Sequence, residues 1–329
     1  MRAPDFWSKG RGGVSSALLL PASWLYASAR RLCGAMAGQP YSSPVPVICI
    51  GNVTAGGAGK TPVAQDLGRR LIARDVAVHF LSRGYGGTMT GPVRVDTNTH
   101  GSLDVGDEPL LLAAIAPTWV AKDRAQGARC AIDAGAGIII MDDGFQNPSV
   151  TKDLSLLVID GGFGIGNGRQ MPAGPLREPL ATALERAYAV VIIGDDVTNV
   201  ATDLANTNQS NRPILRANIS PVQSGDGSAV VAFAGIGRPQ KFFDTLDGAG
   251  FKISEAAPYP DHHPYTSDDM AFLRDLAERH EACLITTEKD FARLAATDRA
   301  EVETLTITLQ WEDEAALEGV FNSLLATTS

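Results

Sequence analysis

The stretch Val47-Ile48-Cys49-Ile50-Gly51-Asn52-Val53-Thr54-Ala55-Gly56-Gly57-Ala58-Gly59-Lys60-Thr61-Pro62 decides the fold. Its four leading apolar residues read as a buried strand, and a helix-compatible run from Pro62 to Ala73 follows it. Strand, glycine-rich turn, Lys-Thr and helix is the order of a phosphate-binding loop. Gly56, Gly57 and Gly59 permit backbone conformations closed to other residues and let N–H groups approach phosphate oxygens. Lys60 is placed to reach β- and γ-phosphates and Thr61 to hold Mg²⁺, beside the partial positive charge of a helix N-terminus. Thr54 stands where the common pattern carries its first glycine. The competing reading, a glycine-rich turn with a chance Gly-Lys-Thr, leaves the flanking strand and helix unexplained.

Outward from this loop, apolar runs alternate with helical patterns. Strands are expected at 47–50, 76–81, 118–121, 137–141, 154–159 and 189–193, and helices at 62–73, 108–116, 124–135 and 179–187. The alternation predicts an α/β fold with a P-loop NTPase-like, mostly parallel sheet covered by helices. After a polar stretch from Asp195 to Arg212, a second α/β set begins: strand 229–234, helix 238–249, strand 251–256, helix 267–279 and strand 282–286. A strand near 304–308 and a helix near 313–326 close the chain. The domains read as an N-terminal helical segment over 1–36, a P-loop domain over 37–220, and a smaller α/β domain over 221–329.

The 329 residues are 44% hydrophobic, enough for two real cores, and the 34 glycines fit many tight turns. A net charge of −9 disfavours bulk binding to nucleic acid. Cys33, Cys49, Cys130 and Cys283 form no C-x-x-C pair, which argues for buried free thiols in a reducing compartment rather than disulfides or a zinc site. The N-terminus breaks the acidic trend: Arg2, Lys9, Arg11, Arg30 and Arg31 face only Asp5. Between them, Val14, Leu18, Pro21, Leu25, Leu32 and Met36 recur at three- or four-residue steps or their multiples. Serines and Pro21 weaken a transmembrane span, and Pro21 and Trp24 interrupt a signal peptide's apolar core. A helix lying on a membrane surface fits best, with Trp24 and Tyr26 at headgroup level; a helix packed on its own domain is the alternative.

Several further clusters carry chemistry. Asp142-Asp143 ends an apolar strand, where a P-loop enzyme places a second Mg²⁺ ligand. Asp107-Glu108-Pro109 opens a helix, either as an N-cap or as a carboxylate facing the nucleotide. Arg83 and Tyr85, in Ser82-Arg83-Gly84-Tyr85-Gly86-Gly87, follow a strand end and suit phosphate and sugar contacts. His262, in Asp261-His262-His263, suits an acid/base or an imidazole partner for a carboxylate.

Taken in order, these motifs resemble the tetraacyldisaccharide 4′-kinase (lipid A 4′-kinase) family. The likeness runs from Gly51–Pro62 through Ser82–Gly87, Gly106–Pro109, Asp142–Gln146, Pro175–Pro179 and Asp261–His263 to Thr287–Asp290. Asn147 departs from it, because many members carry His after the Phe-Gln pair. The resemblance implies ATP- and Mg²⁺-dependent phosphorylation of the 4′-hydroxyl of an acylated glucosamine disaccharide 1-phosphate. It implies a place at the cytoplasmic face of a Gram-negative inner membrane, a lipid-linked disaccharide as partner, and neither nucleic acid nor an obligate protein partner.

For the sites, the resemblance implies ATP on Thr54, Ala55, Gly56, Gly57, Ala58, Gly59, Lys60 and Thr61, with Thr61, Asp143, Gln146 and Glu178 as the metal shell. Asp107, His262 and Asp142 are the expected catalytic set, with Asp107 as proton acceptor paired to His262. Arg83, Tyr85, Arg124 and Arg177 are expected to contact substrate phosphate and sugar. The rivals are a nucleotide-driven switch and a small-molecule ligase. Thr287-Glu288-Lys289-Asp290 lacks the guanine-reading pattern that would favour a GTP switch.

Overall fold

The computed structural model describes residues 4–8, 10, 12–36, 38–207 and 212–326; Arg2, Lys9 and Arg11 lie outside them. Strand β1 (Val47–Gly51) is buried at every position and sits at the middle of a nine-stranded sheet. It is joined there by β2 (Val78–Ser82), β3 (Val93–Arg94), β4 (Thr118–Val120), β5 (Ile138–Asp142), β6 (Leu154–Asp160), β7 (Ala189–Ile193) and β8 (Ile214–Pro221). A four-stranded parallel sheet follows, formed by β9 (Ala229–Ala234), β10 (Lys252–Pro258), β11 (Cys283–Thr287) and β12 (Val302–Leu305). Strand β13 (Ile307–Trp311) then returns to the larger sheet, whose order is β13-β8-β7-β6-β1-β5-β2-β4-β3. Apart from β3 and β13 at its edges, the pairing is parallel, which explains the unbroken apolar runs: both faces are covered by helices.

The chain leaves β1 towards β2 on one side and is completed by β6 to β8 on the other. That reversal of strand order beside β1 is where open α/β sheets bind ligands, beyond the carboxyl ends of the strands. Two aliphatic cores flank the sheet around Ile48, Ile50 and Ile140 on one face and Cys49, Leu157 and Ile192 on the other.

The tail corrects the sequence reading. Residues from Ile307 onward do not belong with the smaller sheet; β13 pairs antiparallel with β8, from Ile307 opposite Pro221 to Trp311 opposite Ala217. The helix Glu314–Ala326 buries Leu317, Val320 and Phe321 in the same cluster as Leu67 and Leu71. Glu314 and Glu318 pair there with Arg70 and Arg74. An apolar stripe needing cover, and two acids matched to two arginines, draw the tail back. The thiols also differ from expectation: only Cys49 is fully buried, while Cys33 and Cys283 are exposed.

The N-terminal helices Gly13–Leu18 and Leu20–Ala35 invert the usual arrangement. They dock through small polar groups: Ser16 Oγ donates to Ala173 O, Ser23 Oγ to Gln170 O at 2.9 Å, and Arg30 Nη1 to Arg177 O at 2.9 Å. Val14, Leu18, Trp24, Leu25, Leu32 and Met36 are left exposed, each by more than 60%. Among the described residues, no helix is long and apolar enough to cross a membrane.

Candidate active site

The glycine-rich loop follows β1, and the helix Lys60–Ile72 starts at its end. Gly56 (φ 108°) and Gly59 (φ 86°) adopt left-handed backbone that other residues hold only with strain. No atom lies within 4 Å of where side chains on Gly56 or Gly57 would project, so the loop presents open backbone. Asn52 braces it, its Nδ2 donating to Thr54 O at 2.7 Å and Gly56 O at 3.2 Å. From outside, Ala55 N donates to Pro175 O at 2.8 Å.

Register places Ile50 of β1 beside Asp142 of β5, which brings the acid to the loop. Thr61 Oγ1 donates to Asp142 Oδ2 at 3.4 Å, while the buried Oδ1 has no partner. Burial, reinforced by the charges of Glu108 and Asp143, pushes the Asp142 carboxyl up to about 7. Asp143, at φ 52°, turns the other way to Arg177 Nη1 (2.9 Å) and Lys60 Nζ (3.5 Å). Burial raises its carboxyl, but Lys60 and Arg177 outweigh that and hold it below the usual range. Gln146 Nε2 donates to Asn52 O at 2.7 Å and to Glu178 Oε1 at 3.1 Å, and Glu178 takes a two-pronged pair from Arg186 at 2.8 and 2.7 Å. The structure thus joins Thr61 to Asp142, and gathers Gln146 and Glu178 at the Asn52 carbonyl.

A second set of charges faces this loop. Asp107 opens the helix Asp107–Ala113 directly after Gly106, whose φ of 88° lets the chain turn beneath Tyr85. Asp107 Oδ2 accepts from Arg293 Nε at 3.1 Å and Arg293 Nη2, with His262 Nδ1 at 3.4 Å. Burial raises the Asp107 carboxyl, but the His262 hydrogen bond and the Lys289 and Arg293 charges together pull it well below the carboxylate range. The His262 imidazole is raised chiefly by the same bond, so the pair favours an imidazolium beside a carboxylate. Next door, Lys289 Nζ meets Glu108 Oε1 at 2.6 Å. Asp107 and Glu108 belong to the larger sheet's layers, whereas His262, Lys289 and Arg293 belong to the smaller sheet's. Arg293 had no place in the sequence reading, although its position three residues after Asp290 put both on one helix face.

A cavity of about 650 Å³ lies between the two sets. Lys60, Thr61, Asp143, Tyr85 and Arg177 line it with His262, Lys289 and Arg293. Its other end is walled by Ile193, Ile219, Phe242 and Ile307, and there Asp160 at the end of β6 pairs with Arg238 (3.0 Å) and Lys241 (2.8 Å). Of the four expected substrate contacts, Tyr85 and Arg177 line this cavity and the others do not. Arg83 is exposed, and Arg124 is buried at the start of the helix Arg124–Asp133, donating to Ala121 O. Burial, with Arg83's charge, lowers the Arg124 guanidinium to about 10.

A family model described as tetraacyldisaccharide-1-P 4′-kinase matches residues 15–326. A tetraacyldisaccharide 4′-kinase of Rhodospirillum centenum is 49% identical, covering 99% of this chain and 97% of that one. Another, of Gluconacetobacter diazotrophicus, is 48% identical over the full length of both. A crystal structure of LpxK from Aquifex aeolicus, titled as an apo form in complex with ATP, superposes with a TM-score of 0.73 at 25% identity, covering 94% of this chain and 99% of that one. The chain belongs to the tetraacyldisaccharide-1-P 4′-kinase family.

Proposed function

We propose that this chain transfers the γ-phosphoryl group of ATP to the 4′-hydroxyl of a tetraacylated glucosamine disaccharide 1-phosphate, in lipid A biosynthesis. One observation carries the reading: a glycine-lined loop with Lys60 and Thr61 shares a single cavity with His262, which pairs with the buried Asp107 behind it. Lys60 and the loop amides, Thr54 through Thr61, hold the β- and γ-phosphates.

The residues fit Mg²⁺. Asp142 is fully buried with one oxygen unpartnered beside the Thr61 hydroxyl, a donor set of hard oxygens. Among the described residues no three acidic, His or Cys side chains gather at ligand spacing, which suits an ion held by one or two protein groups plus phosphates and water. Thr61 and Asp142 would hold it, while Gln146 and Glu178 are bonded to Asn52 O and to each other rather than to these two. Bound there, Mg²⁺ would supply positive charge against the phosphates during transfer. Arg177 and Lys60 keep Asp143 ionised at the edge of the same charges.

The 4′-oxygen attacks the γ-phosphorus as its bond to the β–γ bridging oxygen breaks, and the hydroxyl proton passes to Asp107. In a loose transition state that proton leaves late, so Asp107 first orients the hydroxyl. His262 holds Asp107 in place, and closure of the smaller sheet's layers on the larger keeps water from the γ-phosphate. Tyr85 and Arg177 suit the sugar and its phosphate.

The substrate is a lipid, and the exposed apolar stripe from Val14 to Met36, with Trp24 at headgroup depth, lays the N-terminal helices on the cytoplasmic face of the inner membrane. Substituting Leu18, Trp24 and Leu25 by Ser is expected to abolish flotation with anionic vesicles; undiminished flotation removes this anchor. The reaction itself is tested with ATP, Mg²⁺ and detergent-dispersed lipid disaccharide monophosphate. A new phosphomonoester on the distal sugar is expected, and ATP consumption without it selects the switch or ligase readings instead.

A further inference from the structure

Arg293 is the most constrained cation at the cavity, with a side chain only 5% exposed. It is fixed from behind on its own side of the cleft: Nη1 donates to Asp290 Oδ1 at 2.8 Å and to Gly235 O at 2.6 Å. Asp290 is wholly buried and is itself held by Gly235 N (2.9 Å), Tyr265 Oη (3.0 Å) and Thr287 Oγ1 (2.6 Å). Forward, Nε and Nη2 fork onto Asp107 Oδ2, and Nη2 also lies 3.4 Å from His262 Nδ1. Each guanidinium nitrogen thus donates to a carboxylate or carbonyl oxygen, so the side chain is committed to Asp290, Gly235 and Asp107.

The fork also distinguishes the two Asp107 oxygens. Oδ2 receives Arg293 and His262, whereas Oδ1 accepts one bond, from Glu108 N at 3.0 Å, and keeps a lone pair. We infer that Arg293 is a positioning residue for phosphoryl transfer: anchored on Asp290, it reaches across the cleft to keep Asp107 ionised and to turn Oδ1 towards the acceptor hydroxyl. This rests on the reading of Asp107 as proton acceptor. A buried carboxyl without such a partner drifts towards its neutral form, which accepts no proton. The His262 hydrogen bond and the Lys289 charge also hold Asp107 ionised, but neither forks onto the carboxylate from a buried anchor. His262 shares Oδ2, and Lys289 is spent on Glu108. On the remaining packed elements, Asp104 is bound to Gly101 N, Lys60 to Asn52 and Asp143, and His79 to Trp119.

The experiment uses the full chain with detergent-dispersed substrate from about pH 5 to about pH 9. Arg293→Met should lower kcat by ~10²-fold while the KM for ATP stays within about twofold. In the wild type Asp107, held well below the carboxylate range, gives no acid limb in this window; in Arg293→Met one should appear at its low end, because burial then acts on Asp107 with less opposition. Arg293→Lys keeps the charge without the fork, so this limb should leave the window again while kcat stays reduced. Asp290→Asn should shift kcat in the same direction as Arg293→Met, and by less; it decides the matter if Arg293→Met does not fold. Absence of this limb from both Arg293→Met and Asp290→Asn, or a loss confined to the KM for ATP, overturns the proposal. Asp107→Ala is run alongside: full activity there removes the acceptor reading itself, whereas an inactive Asp107→Ala beside a normal Arg293→Met removes only the role of Arg293.

Discussion

The two walls of the cavity are built in different ways. On the phosphate wall, Lys60 and Asn52 are 8 residues apart and Thr61 meets Asp142 through adjacent strands of one sheet. On the acceptor wall, Arg293 and Lys289 meet Asp107 and Glu108 across 186 and 181 residues and across two sheets. The first wall is rigid by construction: its loop is clamped by Asn52 and its strands are buried on both faces. The second exists only while two sheets are in contact. On the proposed reading, nucleotide binds to one wall and the reacting constellation needs both, which would tie transfer to closure.

If the walls are separable in function, variants on each should fail differently. The largest effect is expected for Lys60→Met, which removes the cation from the phosphates on the rigid wall. kcat should fall on the order of 10³-fold, with weaker nucleotide binding by calorimetry. Asp107→Ala should come second, with turnover down at least ~10²-fold and nearly unchanged ATP affinity. His262→Ala should fall in the same direction by less, since it acts through Asp107. Loss of ATP affinity in Asp107→Ala as deep as in Lys60→Met would show that the walls work as one unit.

The same contrast decides what the sequence discloses. The phosphate wall is legible because its geometry is local: a run of apolar residues, three glycines and Lys-Thr specify strand, turn and helix together. Asp142 is legible as a strand end, but its choice of Thr61 over the basic pair that takes Asp143 depends on a left-handed backbone at Asp143, for which no glycine gives warning. The Asp107–His262 pairing is visible only through family likeness, because nothing local relates residues 155 positions apart. Arg293 is harder still: it ends a six-residue helix, and only contact with the other sheet separates it from a surface arginine. The tail misled for the opposite reason. Strands β12 and β13 are separated by Thr306 alone, so one run of alternating apolar and polar residues serves two sheets.

The smallest of these effects probes contact between the walls without touching the reacting groups directly. Lys289 and Glu108 are paired at 2.6 Å with side chains 28% and 20% exposed. Burial lowers the Lys289 ammonium, but Glu108 and Asp107 outweigh it and keep the ion charged. Removing one partner strands the other in a poorly solvated place, so Lys289→Met and Glu108→Gln should each lower thermal stability. The double variant leaves no stranded charge and should be less destabilised than the two losses added together, with a coupling of about 1–3 kcal/mol. Turnover should fall only about two- to fivefold in each single variant, because Arg293 and His262 still bridge the cleft. Strict additivity in the cycle would mean that the pair does not couple the sheets, and that closure of the acceptor wall depends on the Asp107 contacts alone.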